Sequence, residues 1–151
     1  MGASGWQYVV EAPEGWPVDL ATALARLRAQ VLADGDFFWD GTSEQHIGPR
    51  PASLAELEAL RETEEFWEIG THSILDLDRV IGSDEPPREA AVRPLTLPEA
   101  VQLFGTTTPS PAQFASTDVF GTVDERWTGR CQVLYDGGRP VEVAFWGFSG
   151  D

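Results

Sequence analysis

His72, Asp76 and Asp78 give the spacing His-x3-Asp-x-Asp, the grouping in this chain best suited to chemistry. On a helix His72 and Asp76 share a face; on a strand all three do. A carboxylate beside an imidazole raises the imidazole pKa, and such a cluster can move a proton or bind a metal weakly. The plainer reading is a histidine hydrogen-bonded for structure alone. The cluster defines one function: a small enzyme or ligand-binding domain with a cleft around His72, Asp76 and Asp78.

Other chemical candidates carry less. His46, within Thr42-Ser-Glu-Gln-His-Ile-Gly-Pro49, reads as an exposed loop histidine. Cys131 is the single cysteine, so no internal disulfide can form, and on an inward strand position a thiol behaves as a small hydrophobe. Gly137-Gly138 and Gly147-Phe-Ser-Gly150 match neither a phosphate loop nor a dinucleotide fingerprint. Ser149 lacks a nucleophile elbow, because position 151 is Asp151 rather than glycine. The sequence assigns no cofactor and no metal, and leans away from an enzyme.

Charge says more. Twenty-five acids face ten bases, a net of −15 over 151 residues, and every base is arginine. Lysine and asparagine, both with AT-rich codons, are absent, which points to a high-GC bacterial gene. No basic stripe is present, so a nucleic-acid partner is not expected. No stretch approaches the ~20 apolar residues of a membrane span. Met1 to Tyr8 has neither a basic region nor an apolar run, so no signal peptide is expected and a cytoplasmic location is. The acid excess serves solubility, or it steers a cationic partner.

The run Glu62-Thr-Glu-Glu-Phe-Trp-Glu68 sets four acids around two large aromatics. It reads as a solvated helix end with the aromatics in the core, or as a contact patch with Trp67 as anchor and Glu64, Glu65 and Glu68 steering. Trp146 and Phe148 fall on the polar face of a C-terminal hairpin, beside Glu142. That face is covered by a helix, or exposed as a binding or homodimer surface. The remaining tryptophans are expected mostly in the core.

These residues need elements to hold them. Trp6 to Glu11 reads as a first strand. Leu20, Leu24, Leu27 and Val31 recur at helical spacing, with Asp19 as N-cap, Gly35 as stop, and Arg26, Arg28 and Gln30 off the stripe. Ser53-Leu-Ala-Glu56, Thr96-Leu-Pro-Glu99 and Ser110-Pro-Ala-Gln113 are capping boxes, the first opening a helix to about Glu65. Phe37 to Trp39 reads as a short strand, as does Val92 to Leu95; Phe66 to Leu77 fits a helix through Ile74, Leu77 and Ile81 or a strand through Thr71, Ser73, Leu75 and Leu77, and its β-branched residues and Gly70 favour the strand, followed by a short helical turn near Arg79. Asp136-Gly137-Gly138 between Trp127–Tyr135 and Arg139–Phe148 predicts a hairpin. A three-residue loop with Gly138 left-handed would oppose Val133 to Val141, Cys131 to Val143 and Gln132 to Glu142, with Arg130 able to pair with Glu142. The expectation is one α+β domain over residues 1–151, with a mainly antiparallel sheet and helices packed on one face.

The phrases Gly70-Thr-His-Ser-Ile-Leu-Asp76, Pro94-Leu-Thr-Leu-Pro-Glu-Ala100 and Phe145-Trp-Gly-Phe-Ser-Gly-Asp151 resemble those of small acidic proteins encoded in actinobacterial genomes. The resemblance spans most of the chain after Trp6 and brings no functional residue with it. In size and acidity the chain also resembles immunity proteins that neutralise secreted toxins. Together these features predict a non-catalytic module for a basic protein partner, most concretely an immunity or inhibitor protein. Its contact residues would be Glu64, Glu65, Trp67, Glu68, Glu142 and Trp146.

Overall fold

The computed structural model describes residues 4–41 and 48–150. Five strands form one mixed sheet in the order β1-β5-β4-β3-β2: β1 (Gly5–Glu11), β2 (Arg79–Val80), β3 (Ala91–Pro94), β4 (Thr128–Asp136) and β5 (Arg139–Phe148). The fold is α+β, as expected. The sheet is less antiparallel than expected, because β3 runs parallel to both β4 and β2. A parallel neighbour needs a crossover. From β3 to β4 the chain travels through α4 (Leu97–Phe104) and α5 (Pro111–Ala115), and this supplies a second layer of helix.

Helices therefore cover both faces, not one. On the first face α1 (Leu20–Asp34) and α2 (Leu54–Arg61) pack with Trp6, Leu77, Cys131, Val143 and Phe145. On the other, Leu103 and Phe104 of α4 and Phe114 of α5 pack with Leu134, Ala144 and Trp146. α1 buries its expected stripe of Ala23, Leu24, Leu27 and Val31. The Asp19 side chain accepts from Thr22 N at 3.1 Å, and Gly35 ends the helix in the left-handed region at φ 67°. Arg28, expected off the stripe, is buried and donates to Glu58 and to the Leu75 carbonyl. The boxes at Thr96/Glu99 and Ser110/Gln113 are complete. At Ser53 only half forms: Glu56 turns instead to Ala52 N, and α2 stops at Arg61.

The hairpin closes through a two-residue loop, not three. Gly137 and Gly138 both take positive φ, 58° and 81°, which a tight type I′ turn requires. Pairing then skips Val141: Tyr135 faces Pro140, while Leu134 faces Glu142. This bulge sorts apolar with apolar, opposing Val133 to Val143 and Cys131 to Phe145. Arg130 faces Trp146 instead of approaching Glu142.

Neither expected central strand forms. Phe37 to Trp39 is irregular. Residues 66–77 hold a short helix, α3 (Phe66–Ile69), and a 3-10 turn (Ile74–Asp76), because Gly70 and His72 sit at φ 66° and 53° and break any extended run. No helix among the described residues is long and apolar enough to cross a membrane.

Candidate functional site

The 3-10 turn locks Asp76 inside the protein, 1% exposed. Its Oδ1 accepts from Thr71 N and Thr71 Oγ1, both at 2.8 Å, and its backbone carbonyl accepts from Arg61 Nη2 at 2.9 Å. Oδ2 has no hydrogen-bond partner among the described residues. Asp78 binds Arg61 at 3.1 Å and Arg79 at 2.8 Å. Burial works to raise the Asp78 pKa, but the hydrogen bonds from Arg79 and Arg61 outweigh it and hold the carboxyl low. The His72 ring stacks on Phe38 with centroids 4.7 Å apart. Asp76 and Asp78 are engaged in holding this segment, and none of the concavities described below is lined by the three side chains. Among the described residues no group of three or more His, Cys, Asp or Glu could hold a metal. Cys131 is fully buried, and burial pushes its thiol up to about 12, far from a nucleophile. His46 lies outside the described residues.

Burial also pushes the Asp76 carboxyl up to about 6 from an ordinary 3.8, despite the Thr71 hydrogen bonds. A raised folded pKa means the native state holds this proton more tightly than the unfolded chain does. Its contribution is therefore fully present below about 3.8 and is lost as pH rises through 6. Asp76→Asn is expected to flatten this loss. From pH 3.5 to 7 the variant should gain about 3 kcal/mol on the wild type, at roughly 1.4 kcal/mol per unit. Urea unfolding at both pH values reads the difference directly.

The α2–α3 corner keeps its acids outside. Glu62, Glu64, Glu65 and Glu68 are all exposed. Trp67 is half-buried and fully engaged: its Nε1 donates to Arg61 O at 2.7 Å, the Arg61 guanidinium lies 5.2 Å from its ring, and Trp127 meets it edge-on at 4.9 Å. It is a structural pillar beside an acidic surface.

Trp146 corrects the expectation more sharply. Its exposure is 0%; it packs against Phe114 and donates from Nε1 to Thr122 Oγ1 at 3.0 Å. α5 and the 3-10 turn Phe120–Thr122 seal this face, so Trp146 cannot anchor a partner or a dimer. Glu142 does remain near the surface, half-buried and directly opposite Glu11 of β1.

The open indole is Trp16, 72% exposed, in the loop between β1 and α1. Glu11, Glu14 and Asp19 of the same segment are exposed. Two concavities open on the same β1–α1 segment, though Trp16 itself lines neither. One of about 560 Å³ is lined by Glu11, Glu14, Arg139 and Val141; the other, of about 400 Å³, by Glu11, Glu14, Asp19 and Arg26. The Thr22 amide holds the Asp19 carboxyl below its ordinary value, so it stays charged. The sequence places Trp16 in a loop from Ala12 to Pro17 but does not single it out as a contact residue. The available signal was its setting in Pro13-Glu-Gly-Trp-Pro17, outside any apolar periodicity.

Comparison with protein-family models, curated proteins and solved structures gives no match to this chain.

Proposed function

We propose that this protein is a non-catalytic binding module for a basic protein, of the immunity or inhibitor type, and that it engages its partner through the Trp16 loop. One observation carries the reading: among the described residues, the most exposed large hydrophobic one is an indole on a segment whose acids all face water. Tryptophan is enriched among interface hot spots, and the rim around such an anchor is polar. Glu11, Glu14, Asp19 and Glu142 supply local charge complementarity. Glu64, Glu65 and Glu68 add to the long-range field, which raises the encounter rate with a cation. The alternative cleft around His72, Asp76 and Asp78 gains nothing from the concavities described above, and the homodimer reading loses Trp146.

Deca-arginine is a suitable probe, being basic and free of aromatics. Titration should quench or shift tryptophan emission in a saturable, salt-sensitive way. Trp16→Ala is expected to weaken binding at least tenfold, as a hot-spot truncation does, with no loss of fold. Binding within twofold of wild type would remove Trp16 from the interface.

A further inference from the structure

We propose that the free edge of β1 takes an extended segment of a basic partner as a sixth strand of the sheet, with an arginine or lysine of that segment beside Glu11. The inference rests on the basic-partner reading above and adds how the partner is gripped: by backbone pairing along β1, which leads into the Trp16 loop. The strand order leaves β1 and β2 as the two edges; β2 has 2 residues and β1 has 7.

The β1 edge presents backbone in a regular array. In an antiparallel ladder alternate residues turn both N–H and C=O toward the neighbouring strand, and the residues between turn theirs away. Ala12 N donates to Val141 O and Ser149 N to Ser4 O, so the even-numbered residues are the ones bonded to β5. Gln7, Val9 and Glu11 therefore point their N–H and C=O groups outward, where they have no hydrogen-bond partner among the described residues. All three residues are exposed. A Cβ at Gly5 would lie 3.0 Å from the Phe120 ring, so the open length starts at Gln7. Sheets guard a long edge with lysine, proline, a bulge or an inward charge. From Gly5 to Val10 there is no charge and no proline, and the register with β5 runs unbroken from Gly5–Phe148 to Glu11–Glu142.

Charge selects the occupant. Glu11 and Glu142 are directly opposed at a non-hydrogen-bonded position, where Cα atoms approach to about 4.5 Å and like charges destabilise. Neither acid has an ion-pair partner among the described residues. Glu11, Glu14, Asp19 and Glu142 stand against Arg26 and Arg139 at this end of the sheet. A strand added to β1 sets one of its side chains beside Glu11 on the same face, and a cation there offsets the Glu11–Glu142 repulsion. A second copy of this chain would instead bring another net −15 to the same edge.

The test is amide exchange in the 15N-labelled full chain with the capped peptide Thr-Arg-Thr-Val-Thr-Thr-Thr. Paired antiparallel, it sets Arg beside Glu11, Val beside Val9 and Thr beside Gln7. In the free protein the Gln7, Val9 and Glu11 amides should exchange at least about 100-fold faster than those of Tyr8 and Val10. With Kd on the order of a millimolar, about 10 mM peptide should slow the three outward amides roughly tenfold. The same peptide N-methylated at the residues facing Glu11, Val9 and Gln7 keeps its charge and should give no slowing. Replacing its arginine by glutamate should weaken the effect at least about fivefold. Val9→Pro removes an outward N–H without touching a bond to β5, and should abolish the slowing at Gln7 and Glu11; if that variant fails to fold, the N-methylated peptide carries the same test. No slowing, or equal slowing by the parent and N-methylated peptides, overturns edge pairing, while Trp16-dependent deca-arginine binding would leave the partner reading standing. Equal slowing by the arginine and glutamate peptides overturns the cation beside Glu11. Protection of the outward amides that rises with protein concentration alone would name a second copy as the occupant and overturn the assignment too.

Discussion

Gly70→Ala is expected to cost about 4 kcal/mol and to lower the urea midpoint by roughly 2 M at an m-value of about 2 kcal/mol/M. Two independent effects add. Gly70 sits at φ 66° and ψ −158°, a region that residues with a Cβ essentially do not enter, and forcing one there costs about 1–3 kcal/mol. The new Cβ would also lie 2.6 Å from the Trp127 ring and 2.7 Å from Asp76 Oδ2. Neither neighbour is free to retreat: Asp76 is held by Thr71, and Trp127 by its packing on Trp67. Overpacking of this kind adds roughly 1–3 kcal/mol. Gly121→Ala is the matching control, with open space at its Cβ and no positive φ, and should stay within about 0.5 kcal/mol of wild type. A Gly70→Ala midpoint within 0.5 M of wild type would show that this corner is not fixed as described.

Arg130→Met is the second large effect, with an expected loss of about 3–5 kcal/mol. Methionine keeps the apolar stem but strips donors from three backbone carbonyls and from Glu99. Those carbonyls come from β3 and from the 3-10 turn, so the loss loosens the seam between sheet and second helical layer. Arg130→Lys should recover part of it, since an ammonium restores the charge but not the planar fork. The pH profile carries a second mark. Hydrogen bonding to Arg130 holds the Glu99 carboxyl down to about 2, against an ordinary 4.5. A depressed folded pKa gives stability that is present above 4.5 and lost as pH falls toward 2. Unfolding measured at pH 3 and pH 7 should show this loss in the wild type and a shallower one in Arg130→Met.

What the sequence made legible was local. The α1 stripe, its Asp19 cap and Gly35 stop, and the two complete capping boxes each depend on residues within a turn of one another. The hairpin was legible for the same reason, but its register was not. A bulge at Val141 leaves no compositional trace, and the polar-apolar sorting can be reached by a longer turn or by a bulge. The segment 66–77 was misread because its β-branched residues favour extension, while Gly70 and His72 adopt left-handed backbone that only the packed Asp76 and Trp127 explain. The two-faced core was hidden in topology. Once β3 runs parallel to β4, the crossover through α4 and α5 must lie over the sheet, and Trp146 is covered. Acid beside indole is legible in the sequence, but the spacing does not say which indole stays open to solvent. Trp67 and Trp146 have partners for their N–H groups inside the fold, whereas Trp16 projects from a loop.

The interface claim is tested most directly by two charge-matched double variants titrated with deca-arginine. Glu11→Gln with Glu14→Gln, and Glu64→Gln with Glu65→Gln, each remove two of the 25 acids and take the net charge from −15 to −13. If the Trp16 loop is the contact surface, the first pair should weaken binding by about tenfold and the second by about twofold or less, since direct contacts exceed field effects. Equal losses from the two pairs would mean that the probe reads only total charge, and the Trp16 loop would have no claim as the binding site.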